Sequence, residues 1–292
     1  MAAAWIDPVA FSLGPISVKW YGVAYIVGIL WAWAWARRLL KSYDFSISPL
    51  QLEAFISWSI VGIIVGGRLG YCLLYHPLAF LANPIEILYV WEGGMAFHGG
   101  LIGVMLATYF FAKKHGVGLI QFYDLIVLCA PLGLLTGRIA NFINAEHFGR
   151  PTTVSWGMYF PDGGGVLRHP SQLYEAFLEG ILLFIVLNVL YVCWSLCRKV
   201  PGIIGGSFLV GYSLVRIVGE VFRQPEAHID FLPLSITYGQ CLSLIQLAAG
   251  IWWMHFCFVR GMVILTRSAT LEKGSRAQAT HNNTSHNPSN RT

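Results

Sequence analysis

Long apolar runs separated by short polar segments dominate the chain. A helix crossing about 30 Å of hydrocarbon needs roughly 20 mostly apolar residues. Seven such stretches occur, near Val18–Ala36, Leu50–Tyr75, Met95–Ala112, Phe122–Ile143, Leu173–Leu196, Ile203–Phe222 and Tyr238–Val259. The pattern predicts an all-α polytopic membrane protein, a bundle of seven transmembrane helices. Ala79–Trp91 is too short to span and is interrupted by Pro84, so it reads as an arm lying in the outer interface. The loop Asn144–His169 carries Pro and Gly clusters, including Pro161-Asp-Gly-Gly-Gly165, and is long enough to be functional rather than a connector. After Thr266 the chain turns to Ser, Thr, Asn, His and Gln without apolar periodicity. The expectation is one membrane domain, residues 1–266, followed by a disordered polar tail, residues 267–292. Met1–Gly14 has neither a basic n-region nor a small-residue cleavage site, so the first span is expected to direct insertion itself.

Composition removes the alternatives. Of 292 residues, 56% are hydrophobic and 11% charged, against about 25% charged in a soluble globular protein; the mean hydropathy is +0.60. So few charges cannot cover a soluble domain of this length. The net charge of +5 gives no reason to expect a nucleic-acid partner, because in a membrane protein what matters is where the basic residues lie. With the N-terminus outside, twelve Lys and Arg fall in inner loops and the tail, among them Arg37, Arg38, Lys113, Lys114, Arg198 and Lys199. Four fall outside (Lys19, Arg150, Arg168, Arg223). This excess predicts an outer N-terminus and a cytoplasmic C-terminus, and it requires an odd number of spans. The six cysteines all lie in apolar stretches without zinc-ligand spacing and read as small buried side chains.

The remaining three arginines, Arg68, Arg138 and Arg216, lie within spans. Each costs at least about 2.5–3.5 kcal/mol in hydrocarbon unless it faces a partner or a polar cavity. Given the direction of each span, all three sit in the outer half, and so does His98 at the start of span three. Any one arginine near a helix end can simply snorkel to the interface. Polar neighbours at helical spacing argue for more: Tyr212, Arg216 and Glu220 stand at i, i+4 and i+8, and Arg138 and Asn141 at i and i+3. Gly62 and Gly66, Gly99 and Gly103, and Gly133 and Gly137 are small-xxx-small pairs that predict close helix packing. Guanidinium groups facing an outer cavity suit an anionic headgroup, since paired N–H donors match phosphate. His98 is placed either as a general base or as a hydrogen-bonded structural histidine. There is no Walker A sequence, GxGxxG, HExxH or Gly-x-Ser-x-Gly elbow, and no lysine within a span. Nucleotide, metalloprotease, serine-lipase and retinal chemistry are therefore set aside.

One set of motifs is specific. Gly137-Arg-Ile-Ala-Asn-Phe-Ile-Asn-Ala-Glu-His-Phe-Gly-Arg150 resembles the signature of the bacterial phosphatidylglycerol–prolipoprotein diacylglyceryl transferases. So do Trp20-Tyr-Gly22, Gly66-Gly-Arg-Leu-Gly-Tyr71, Trp91-Glu-Gly-Gly-Met-Ala-Phe-His-Gly-Gly-Leu-Ile-Gly103, Arg168-His-Pro-Ser-Gln-Leu-Tyr-Glu175 and Phe222-Arg-Gln-Pro225, in family order. The resemblance implies a seven-span enzyme of the bacterial inner membrane with a periplasmic N-terminus and the active site in the periplasmic half. It implies transfer of the diacylglyceryl group of phosphatidylglycerol to the lipobox cysteine of a prolipoprotein signal peptide, forming a thioether and releasing glycerol phosphate. No metal, cofactor or obligate protein partner is implied.

Carried over residue by residue, the resemblance makes His98, Arg138 and Arg216 catalytic. It places Arg138, Asn141, Tyr21, Glu146, Tyr212 and Glu220 at the substrate; Arg68 is added from its depth as a lipid contact or a brace of its own span. Ala140 and Ala145 stand where the signature often has Gly, and His147-Phe148 where Leu-Trp is common; these departures bear on loop packing. The alternative is an anionic-lipid flippase using the same arginines. It would need access from both faces, and the inner half offers little beyond Glu53 and Asp124.

Overall fold

The computed structural model describes residues 6–14, 16–75, 77–90, 93–224 and 237–285. Trp91, Glu92 and Pro225 of the motifs above, and residues 286–292 of the tail, lie outside the described residues. The chain opens with an antiparallel hairpin, β1 (Val9–Leu13) and β2 (Ile16–Lys19). The sequence pattern did not predict this hairpin; Gly14, at φ +61°, supplies the left-handed residue beside its turn. α1 (Trp20–Ser42) follows without a break.

α2 (Pro49–Tyr75) begins with proline at its first position. Ser48 and Gln51 form a reciprocal capping box there, with N–H to side-chain oxygen distances of 2.9 and 3.2 Å. α3 (Pro77–Ala82) and a 3-10 turn (Pro84–Leu88) make up the arm. α4 (Phe97–His115) ends on Gly116 in the left-handed conformation. α5 (Leu119–Ile143) comes next. After the long loop, α6 (Ser171–Glu175), a π-helical turn (Ala176–Leu182) and α7 (Leu183–Cys193) form one continuous span. α8 (Ser195–Lys199), α9 (Ile203–Phe222) and α10 (Tyr238–Ser285) complete the chain.

Among the described residues, six segments are long and apolar enough to cross a membrane: α1, α2, α5, Ser171–Cys193, α9 and the part Gly239–Ile264 of α10. The protein is an all-α multi-pass membrane protein. α4, the seventh expected span, falls outside that group; its 19 residues end in Lys113, Lys114 and His115. α10 continues past Thr266 to Ser285, where the sequence led to the expectation of an unstructured tail. The segment holds Ala269, Leu271, Glu272, Lys273, Arg276, Ala277 and Gln278, whose backbone propensity favours a helix.

α2 and α4 approach backbone to backbone. A Cβ on Gly66 would lie 2.7 Å from Gly103 Cα, and one on Gly70 would lie 2.7 Å from Gly99 Cα. The pairs Gly62/Gly66 and Gly99/Gly103 therefore pack as small-xxx-small motifs do. Gly133 and Gly137 do not, because a Cβ on either would meet nothing within 4 Å. It is Gly28 of α1 that comes close there, its own Cβ position 3.3 Å from Gly133 Cα.

The apolar core gathers near the lysine-rich ends of the helices, around the buried side chains of Phe111, Phe122, Leu128, Leu187 and Ile204. Phe55 packs edge-on against Phe111 and Phe122, with centroids 5.4 and 4.7 Å apart. Asp124 is buried beside this core and accepts the N–H groups of Gly202 (2.6 Å) and Gly205 (2.7 Å). Those are donors a helix N-terminus leaves open, and Gly202 has no side chain to cap them. A carboxylate from α5 therefore closes the first turn of α9.

Candidate functional site

At the opposite end of α5, sixteen residues or roughly 24 Å from Phe122 to Arg138, the arginines of two helices meet. Glu175, at the end of α6, and Glu179, in the π-helical turn, stand at i and i+4 and are essentially unexposed. Arg138 of α5 places Nη1 2.8 Å from Glu175 Oε2, and both Nε and Nη2 3.0 Å from Glu179 Oε2. Arg216 of α9 places Nη1 3.1 Å from Glu175 Oε1 and 3.4 Å from Glu179 Oε1. Its Nη2 lies 3.2 Å from Glu220 Oε2, one turn away on the same face. Arg223 Nη1 reaches Glu175 Oε1 at 3.5 Å. Two guanidinium groups thus share two carboxylates across three separate segments, and Tyr212 lies within electrostatic reach of all four charges.

A second constellation adjoins the first. The Tyr21 hydroxyl donates to Glu146 Oε2 at 2.8 Å and accepts from the side-chain amide of Asn141. Glu146 follows α5 in a tight reversal, with Ala145 at φ +58° and His147 at φ +54°. L-residues with a side chain adopt this region at some cost. The reversal is pinned from below: Gln172 Nε2 donates to Glu146 O at 2.6 Å, and Ser171 Oγ donates to His147 O at 3.0 Å.

The long loop is tied back over the cluster. Gly149 N–H donates to His169 O, and Arg150 N–H to Phe222 O, both at 2.9 Å. A Cβ on Gly149 would lie 2.7 Å from His169 O, so only glycine fits there. Arg168 donates Nε to Gly163 O at 2.6 Å, and its guanidinium carbon lies 4.9 Å from the centre of the Phe148 ring.

Of the residues chosen from sequence, Tyr21, Arg138, Asn141, Glu146, Tyr212, Arg216 and Glu220 come together. Arg68 and His98 do not join them through any hydrogen bond or ion pair among the described residues. Arg68 is buried and directs its donors at backbone carbonyls of the arm and the following turn: Ile87 O (3.0 Å), Glu86 O (2.6 Å), Gly93 O (2.5 Å) and Gly94 O (3.4 Å). This geometry braces the arm against α2. The Arg68 fork matches four carbonyls that a lysine cannot cover at once. Arg68→Ala and Arg68→Lys are both expected to free the arm, giving faster limited proteolysis between residues 77 and 90 in reconstituted protein while the remainder stays protected. His98, the second residue of α4, is exposed and lies edge-on to Phe97 at 5.6 Å.

Sequence reasoning missed Glu175 as a site residue and overlooked Glu179 altogether. The signal was present: an arginine within a span requires a counter-charge, and Glu175 and Glu179 are two carboxylates one helical turn apart in an otherwise apolar run.

The sequence profile of the family described as "Prolipoprotein diacylglyceryl transferase" matches residues 8–256. A phosphatidylglycerol–prolipoprotein diacylglyceryl transferase of Rickettsia bellii is 49% identical over 247 residues, 85% of this chain and 94% of its own. Proteins of the same name from Rhodospirillum rubrum and Paramagnetospirillum magneticum are 51% and 46% identical over 249 and 264 residues. They cover 84% and 89% of this chain, and 90% and 97% of their own lengths.

Proposed function

The chain belongs to the prolipoprotein diacylglyceryl transferase family, and from that premise we propose how its residues carry out the transfer and on which side of the membrane. It is a membrane transferase whose substrates are phosphatidylglycerol and prolipoproteins. In our reading the acceptor is the lipobox cysteine of a signal peptide. Its sulfur attacks the glycerol carbon of the lipid, and the carbon–oxygen bond to phosphate breaks with its electron pair remaining on the phosphate oxygen. Thioether and glycerol phosphate are the products.

The observation that carries this reading is the convergence of Arg138 and Arg216 on Glu175, at 2.8 and 3.1 Å. Two forks held by one carboxylate form a preorganised donor set for a phosphate on which charge develops. Each guanidinium has five N–H groups and retains donors beyond those the glutamates accept. Glu220 orients Arg216 in this scheme. Tyr21, Asn141 and Glu146 line the approach of the headgroup, and Arg68 holds the arm that borders it. His98 takes the thiol proton, delivered from the side of α4. The basic residues, taken with the family, support α4 as the seventh span, an N-terminus on the periplasmic face of the inner membrane, and a site in the periplasmic half.

The test is incubation of purified protein with phosphatidylglycerol labelled in its acyl chains and a lipobox peptide, followed by mass spectrometry. The expected result is a peptide carrying diacylglyceryl on cysteine with an equimolar amount of glycerol phosphate. Labelled lipid crossing to the other leaflet without modified peptide would instead identify a flippase. His98→Gln is expected to lower kcat/KM by roughly 10²–10⁴-fold, the contribution typical of a positioned general base. Wild-type kcat/KM in this variant removes His98 from that role.

A further inference from the structure

The carboxylates that hold the arginines also set the charge an incoming ligand meets. We propose that Glu175 and Glu179 are specificity-determining residues that fit the arginine pair to a phosphodiester monoanion and weaken its hold on phosphomonoester dianions. The inference rests on the reading that Arg138 and Arg216 bind lipid phosphate.

Two bare guanidinium groups would hold a dianion more strongly than a monoanion, because attraction scales with ligand charge. Here the pair is balanced by Glu175 and Glu179 at distances of 2.8–3.4 Å. Beyond them, Glu220 and Arg223 add one charge of each sign. Both central carboxylates are buried, so solvent ions screen them little. With Glu146 of the adjoining constellation adding a further negative charge, a ligand meets no net positive charge, and its binding depends on directed N–H donors. The two non-bridging oxygens of a phosphodiester can accept those donors while carrying a single charge. A second charge gains no net attraction and faces two fixed carboxylates a few ångströms away.

The chemistry makes this distinction matter. The substrate is a phosphodiester; carbon–oxygen cleavage leaves a phosphomonoester, while the thiol proton departs to a base. The product thus carries the charge the site is built to hold weakly. Phosphatidic acid, which has the same two acyl chains on a monoester phosphate, is excluded on the same ground.

The experiment uses the full chain in nanodiscs at pH 8 and measures displacement of a fluorescent phosphatidylglycerol by unlabelled phosphatidylglycerol or by phosphatidic acid with identical chains. Glu175→Gln and Glu179→Gln, which keep shape and remove charge, are each expected to raise the phosphatidic acid to phosphatidylglycerol affinity ratio roughly tenfold. Product inhibition by glycerol phosphate is expected to strengthen in parallel. Glu179→Asp, which retains the charge, should keep the wild-type ratio. If one amide variant fails to fold, the other still decides. A wild-type ratio in the amide variants, with Arg138→Lys weakening both lipids, overturns charge selection alone. Undiminished binding of both lipids by Arg138→Lys overturns the phosphate reading beneath it.

Discussion

Arg138→Ala is expected to lower the rate of diacylglyceryl transfer by roughly 10²–10³-fold, the loss typical of removing one donor from a site that stabilises developing charge. The substitution also leaves Glu175 and Glu179 facing Arg216 alone. Breaking a buried pair from one side destabilises by about 3–5 kcal/mol, so a lower melting temperature should accompany the lost activity. The two effects separate in Arg138→Lys. A lysine keeps the charge and most of the fold, but as a point charge it cannot contact both glutamates and a phosphate in one plane. Thermal stability is expected to recover substantially while kcat stays at least about tenfold low. Wild-type kcat/KM for Arg138→Lys would show that a fork at this position does not matter.

Gly103→Val is expected to remove the folded protein from the membrane. A Cβ at Gly103 would overlap the Gly62 carbonyl and come within 3.0 Å of Gly66 Cα. Both neighbours are helix backbone and cannot rotate aside, so α2 and α4 must separate along their length. Overpacking in a core costs about 1–3 kcal/mol when side chains can adjust, and more is expected here. A control lies three residues away. A Cβ at Gly100 would be 3.7 Å from its nearest neighbour, Ile63 O, so Gly100→Ala should melt within about 0.5 kcal/mol of wild type or slightly above it. Fluorescence-detected gel filtration after a heating series distinguishes the two. A stable, monodisperse Gly103→Val would refute the close contact of these helices.

Six of the spans were legible because hydrocarbon imposes one rule on every membrane-crossing helix; the caps at Ser48–Gln51 and Gly116 emerged only with the structure. The hairpin at Val9–Lys19 was not legible, since two short strands leave no signal comparable to a twenty-residue apolar run. At the site, Arg138, Asn141, Tyr212, Arg216 and Glu220 were picked out from depth and helical spacing, and Tyr21 and Glu146 from motif resemblance. Glu175 and Glu179 escaped notice because attention fell on cations suited to phosphate, although a cation buried in lipid calls first for an anion. Arg68 shows the converse: depth alone placed it with the other arginines, but its partners are main-chain carbonyls, which no side-chain pattern reveals.

The ion pairs that join α5, the π-helical turn and α9 also bear on how the molecule is made. Arg138 emerges from the ribosome 37 residues before Glu175 and 41 before Glu179, and Arg216 follows Glu179 by a further 37. Until the later segments arrive, α5 carries an uncompensated cation that lipid disfavours by at least about 2.5–3.5 kcal/mol. Holding α5 beside the insertion machinery until the glutamates come within reach would avoid that cost. Slowed translation between residues 143 and 171 should lengthen the time that nascent α5 can be crosslinked to the translocon.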